Sequence, residues 1–96
     1  MIEVRQTEIF AQWFRRLRDR RAQRRIQVRI DRFEAGNPGD VRPVGGGVSE
    51  MRIDYGPGYR VYFAQRGVTL VILLAGGDKR SQHQDIAMAL KLAGEV

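Results

Sequence analysis

The residues of this sequence best suited to chemistry are two arginines, Arg52 and Arg60, on neighbouring alternating stretches. Met51, Ile53 and Tyr55 alternate with Glu50, Arg52 and Asp54. After Gly56-Pro57-Gly58, Tyr59, Val61 and Phe63 alternate with Arg60 and Tyr62. Successive side chains of a strand point to opposite faces, so each stretch has one apolar and one polar side. A phosphodiester could be cut there without a metal, given a base for the 2′-hydroxyl, cations for the charge growing on phosphorus, and an acid for the leaving oxygen. Arg52 and Arg60 would hold the phosphate, and Lys79, in a glycine-rich stretch further on, would join them at the same sheet edge. Tyr62, His83 and Asp85 are the proton-transfer candidates. Other readings stay open for most of these residues. Arg60 could pair with Asp54 across the hairpin, and Arg52 with Glu50. Tyr62 could serve packing, His83 could stand in water, and Asp85 could complement a helix dipole.

Several chemistries are excluded or disfavoured. The 96 residues contain no cysteine and one histidine, which removes thiolate sites and disfavours a histidine zinc site. No nucleophile elbow, acidic pair or dinucleotide fingerprint occurs, so neither a metal nor another cofactor is expected. The longest apolar run, residues 68–75, is too short to span a bilayer, and the N-terminus lacks a signal-peptide core, so a cytoplasmic location is expected. The chain carries 17 Lys+Arg against 11 Asp+Glu, a net charge of +6. The surplus is concentrated in arginines between Arg15 and Arg32. Such a run suits a polyanionic partner, whether RNA, DNA or an acidic protein segment. Arg15, Arg16, Arg20, Arg21, Arg24 and Arg25 are its proposed contacts.

These groups must be positioned by a small set of elements. Residues 1–5 alternate and predict a first strand. Thr7 is placed to cap a helix carrying Phe10, Trp13, Phe14 and Leu17 on one stripe. A second stripe, Ala22, Ile26, Ile30 and Phe33, is out of phase with the first. A break near residues 18–20, with Asp19 capping a second helix, accounts for it and gives a helical hairpin. Gly36 ends that helix. Residues 40–47 read as a flexible connector. A three-residue turn at Gly56-Pro57-Gly58 would pair Tyr55 with Tyr59, Ile53 with Val61 and Met51 with Phe63. It would set Arg52 opposite Tyr62 and Asp54 opposite Arg60. Residues 68–74 predict a strand covered on both faces. Ser81 and Gln84 form a capping box for a last helix striped by Ile86, Leu90 and Ala93. The order β-α-α-β-β-β-α predicts one α+β domain over residues 1–96, an antiparallel sheet with the helical hairpin on its oily face.

Three motifs make the sequence similar to a known family. They are D-R-R-A…R-I…R-I-D-R followed by G-N-P-G-D; V-x-E-M-R-I-D-Y-G-P-G-Y-R-V-Y-F; and L-L-x-G-G-D-K-x-x-Q-x-x-D-I-x-x-A. Over nearly its whole length the chain resembles RelE/ParE-type toxins of bacterial type II toxin–antitoxin systems. Within them it is most similar to the small phage-like, HigB-related addiction module killer proteins. The resemblance implies a RelE-like, microbial-RNase-like fold. It also implies growth inhibition, commonly by ribosome-dependent mRNA cleavage, and neutralisation by a cognate antitoxin, often of helix-turn-helix type. Arg52 and Arg60 match the family's basic sheet residues, and Lys79 the lysine of its G-G-D-K loop. His83 and Asp85 fall where relatives place late polar catalytic groups. RelE-type nucleases usually end in a functional tyrosine or a histidine-containing tail, whereas here an apolar-striped helix follows Asp85. A ParE-like inhibitor of DNA gyrase and an inactive binding relative are the alternative functions.

Overall fold

Thr7 shows how the chain sets its first element. Its Oγ1 accepts a hydrogen bond from the Phe10 N–H at 3.1 Å and donates to the Leu74 carbonyl at 2.6 Å. The residue that caps the first helix therefore also ties it to the sheet. The computed structural model describes residues 2–96. The elements are β1 (Glu3–Gln6), α1 (Glu8–Arg16), α2 (Arg20–Glu34), β2 (Val41–Gly45), β3 (Val48–Ile53), β4 (Tyr59–Arg66), β5 (Leu70–Asp78), a 3₁₀ turn (Lys79–Ser81) and α3 (Gln82–Ala93). The expected first strand begins at Glu3 and ends at Gln6; Met1 lies outside the described residues.

The break between the first two helices falls where the phase shift placed it. Asp19 accepts from the Arg21 and Ala22 N–H groups, and its extended backbone turns the chain into α2. α2 ends at Ala35 and Gly36, the latter in the left-handed region at φ 95°.

The sheet has five strands in the order β1-β5-β4-β3-β2. It is mixed rather than antiparallel, because β1 pairs with β5 in parallel. The helical hairpin between β1 and the later strands makes this possible, since parallel neighbours need a long crossover. The expected connector at residues 40–47 is also corrected: Val41–Gly45 is an edge strand paired with β3. Gly46 and Gly47, at φ 60° and 78°, form its two-residue turn, for which both central residues need positive φ. Pro43 is tolerated because an edge strand has ladder positions facing solvent.

Both faces of the sheet are covered. On one, α1 and α2 bury Phe10, Ile26, Ile30 and Phe33 against Met51, Ile53, Val61, Phe63, Val71 and Leu73. On the other, α3 brings Ala89 and Ala93 onto Val48, Tyr62, Ala64, Leu74 and Ala75. The stripe expected on α3 is shifted: Ala89 is buried, whereas Leu90 is 39% exposed. The last strand also starts later than expected, at Leu70, and Val68 is exposed.

Candidate functional site

The hairpin of β3 and β4 sets the site. Its register pairs Arg52 with Arg60, Glu50 with Tyr62, Met51 with Val61 and Ile53 with Tyr59. The expected three-residue turn is therefore corrected to a five-residue loop, residues 54–58. The apolar residues still share one face, but every cross-strand partner moves by two. Asp54 loses its place opposite Arg60, and Arg52 loses its place opposite Tyr62.

The loop is held from both sides. The Tyr55 hydroxyl donates to Asp19 at 2.8 Å, and the Arg25 guanidinium lies over the Tyr55 ring, 4.8 Å from its centre. That bond keeps the Asp19 carboxyl below the usual carboxylate range and raises the Tyr55 phenol. Trp13 meets Tyr59 edge-on at 6.3 Å. The end of the hairpin is thereby fixed to the junction of the two N-terminal helices.

Arg52, Arg60 and Lys79 line one open cavity of about 290 Å³, together with Asp40, Ile53, Asp54 and Gly58. The chain brings these three cations together from β3, from β4 and from the turn after β5. Lys79 does not sit in a glycine-rich loop as expected. Gly76 and Gly77 belong to β5, and Lys79 opens the 3₁₀ turn. Asp78 caps that turn, accepting from the Arg80 N–H at 2.8 Å, and with Ser81 it makes the capping box expected of Ser81 and Gln84. The Lys79 side chain crosses Gly58 of the hairpin loop closely enough that a Cβ there would touch it.

The ion pairs differ from those expected. Arg60 Nε lies 3.5 Å from Glu50 Oε2 instead of pairing with Asp54. Glu50 is 2% exposed and also accepts from Gln82 Nε2 at 3.2 Å. Arg52 pairs not with Glu50 but with Asp40, by Nη2 at 2.7 Å and Nε at 3.1 and 3.2 Å. This holds the Asp40 carboxyl below the usual range and raises the Arg52 guanidinium. Lys79 is exposed and has no ion pair among the described residues.

The proton-transfer candidates separate. Tyr62 is fully buried beneath α3, and its hydroxyl has no hydrogen-bond partner among the described residues. Burial, with Glu50 and Asp85 nearby, pushes its phenol far above the ordinary value. A hydroxyl in that position cannot meet a substrate while α3 is seated. Tyr62→Phe is expected to leave stability unchanged or raise it by up to about 1 kcal/mol, since the lost group satisfies nothing. A clear fall in the urea midpoint would show that the hydroxyl has a partner. His83 stands exposed on the first turn of α3 and does not line the cation cavity. Asp85 is half-buried and accepts from Ser81 Oγ at 2.5 Å; burial raises its carboxyl pKa.

Of the helical arginines, Arg15 pairs with Glu8 at 3.0 Å, while Arg16, Arg20, Arg21 and Arg24 are exposed without ion pairs among the described residues. Arg29 serves the fold. It donates to the carbonyls of Arg52, Pro38 and Asp40. Sequence reasoning weighed Glu50 against Arg52 rather than Arg60, because the register it assumed set Arg60 opposite Asp54. It missed Asp40 altogether, because that pairing depends on the fold that Arg29 imposes on residues 38–40.

No group of three His, Asp or Glu among the described residues is placed to hold a metal ion. No described helix is long and apolar enough to cross a membrane. A family model described as Phage derived protein Gp49-like (DUF891) matches residues 12–93. The chain belongs to this phage-derived Gp49-like family. The match takes in the second half of α1, all of α2, the cation cavity and α3, and the family is associated with toxin–antitoxin addiction modules. A protein of Haemophilus influenzae, described as uncharacterized, is 45% identical over 95 residues, covering 99% of this chain and 96% of its own. No solved structure matches.

Proposed function

We propose that this chain is the toxin of a type II toxin–antitoxin system, of the RelE/ParE kind. Its proposed activity is metal-independent, ribosome-dependent cleavage of mRNA, relieved by a cognate antitoxin of helix-turn-helix type. The observation that carries the reading is the shared cavity of Arg52, Arg60 and Lys79. Three cations from separate elements around one opening suit a phosphate whose charge grows during attack. The exposed arginines of α1 and α2, Arg15, Arg16, Arg20, Arg21, Arg24 and Arg25, would grip ribosomal RNA through its phosphates. Proton transfer is assigned to His83 and Asp85, which stand on α3 outside the cavity lining, rather than to the buried Tyr62. A carboxyl with a raised pKa, as at Asp85, suits the general acid.

A second reading, a ParE-like gyrase inhibitor, is favoured by the exposed arginines on α2 and by the burial of Tyr62. Expression in a host without the antitoxin separates the readings. Growth arrest is expected, with new mRNA 5′ ends in primer extension of ribosome-bound transcripts. Arrest with intact mRNA and blocked supercoiling by purified gyrase would favour the inhibitor. Unchanged growth would leave an inactive binding relative.

A further inference from the structure

We infer that Asp40 holds the place of a substrate phosphate on Arg52, so that a ligand enters this cleft only by displacing it. This rests on reading the cleft as a phosphate site. A guanidinium presents the same two-pronged edge to a carboxylate as to a phosphate. Asp40 occupies that edge of Arg52 with contacts of 2.7, 3.1 and 3.2 Å.

The carboxylate is delivered there by a built turn. Arg29 Nη2 donates to the Pro38 and Asp40 carbonyls, each at 3.3 Å, and the Arg52 N–H donates to the Asp40 carbonyl at 3.0 Å. Arg29 Nη1 donates to the Arg52 carbonyl. The turn packs so closely that a Cβ on Gly39 would lie 3.0 Å from Arg29 Nη2. The backbone of Asp40 is therefore fixed by bonds that its carboxylate does not share, and the side chain can leave while the turn stays.

The pair is displaceable because it is wet. The Arg52 and Asp40 side chains are 31% and 53% exposed, and exposed pairs are weak. The neighbouring pair is different. Arg60 and Glu50 are 12% and 3% exposed, so Glu50 cannot swing into water in the same way. An arriving anion thus finds Lys79 without an ion pair among the described residues, Arg60 held by a buried partner, and Arg52 blocked by a removable one. A single phosphate gains little against that block. A strand that offers adjacent phosphates engages Lys79 first and then takes Arg52.

The test uses the purified full chain with two probes: a 2′-O-methylated RNA decamer, which cannot be cut, followed by fluorescence anisotropy, and inorganic phosphate, followed by NMR titration. Asp40→Asn is expected to bind both about fivefold more tightly, with Asp40→Ala behaving alike. Asp54→Asn removes one exposed carboxylate from the same cavity and is expected to gain clearly less. The gain is expected to vanish in an Arg52→Ala background. Equal binding by the parent and Asp40→Asn, equal gains from Asp40→Asn and Asp54→Asn, or a gain that survives Arg52→Ala would each overturn the inference. The RNA reading fails separately: tighter phosphate binding by Asp40→Asn with no decamer binding by any form would leave Asp40 in its role and remove RNA as the ligand.

Discussion

Arg60→Ala is expected to end growth inhibition and to destabilise the protein, whereas Arg60→Lys separates the two effects. Arg60 has two duties. Its guanidinium lines the cation cavity, and its Nε faces Glu50 at 3.5 Å beneath α3. Alanine leaves Glu50, 2% exposed, with only the Gln82 amide as partner. Removing one member of a buried ion pair costs about 3–5 kcal/mol. At roughly 4–8 °C per kcal/mol for a domain of this size, the melting temperature should fall by well over 10 °C. On the proposed function, loss of a preorganised donor at the phosphate should lower cleavage by about 10²–10³-fold in the same protein. Lysine restores a cation opposite Glu50 without the planar fork. Its melting temperature should lie close to the parent's while cleavage stays at least tenfold down, on the order of one lost charge-assisted hydrogen bond. If Arg60→Lys cleaves like the parent, a point charge is enough and the fork has no role.

The fold was legible in the sequence wherever one residue settles a local choice. Asp19 marked the break between α1 and α2 because a side-chain acceptor at that position satisfies the free N–H groups of the next helix. Alternation fixed which residues of β3 and β4 face the helices. It could not fix the register, because a shift of two residues keeps every side chain on its face. Turns of three and five residues thus satisfy the same pattern, and the longer one forms, with Tyr55 reaching Asp19 across 36 positions of sequence. β2 was illegible for a different reason. Pro43 and three consecutive glycines suppress the strand signal, and the strand exists because β3 offers it a partner. In the cavity, the three cations were legible as residue types on a shared edge, but their neutralising partners were not. Asp40 and Glu50 act through tertiary contacts, and those decide how much positive charge the cavity shows to a ligand. Tyr62 takes the packing place that stood beside proton transfer, because α3 covers the polar face of the hairpin there with Ala89 and Ala93.

The adjacent glycines of β5 lead to the second large effect: Gly76→Ala is expected to destabilise the protein by about 2–3 kcal/mol, lowering the melting temperature by roughly 10–20 °C. Neighbouring positions on a strand point to opposite faces, and at this end of β5 both faces are in contact with side chains. A Cβ on Gly77 would strike the Asp85 carboxyl and Ser81, the ends of side chains that can turn away. A Cβ on Gly76 would enter the six-membered ring of Trp13. That ring has little freedom to yield, since it packs on Phe10 at 5.7 Å and meets Tyr59 edge-on at 6.3 Å. Overpacking here therefore has to move α1 or the start of β4, and Arg60 follows Tyr59 directly. Trp13→Leu should remove most of the clash, so the double variant Trp13→Leu/Gly76→Ala should lose much less than the two single losses added together. Additive losses in urea unfolding would place the strain elsewhere. Melting of Gly76→Ala at the parent's temperature would show that the Trp13 ring can move freely, and that the glycine at position 76 is not required by the packing of α1 on β5.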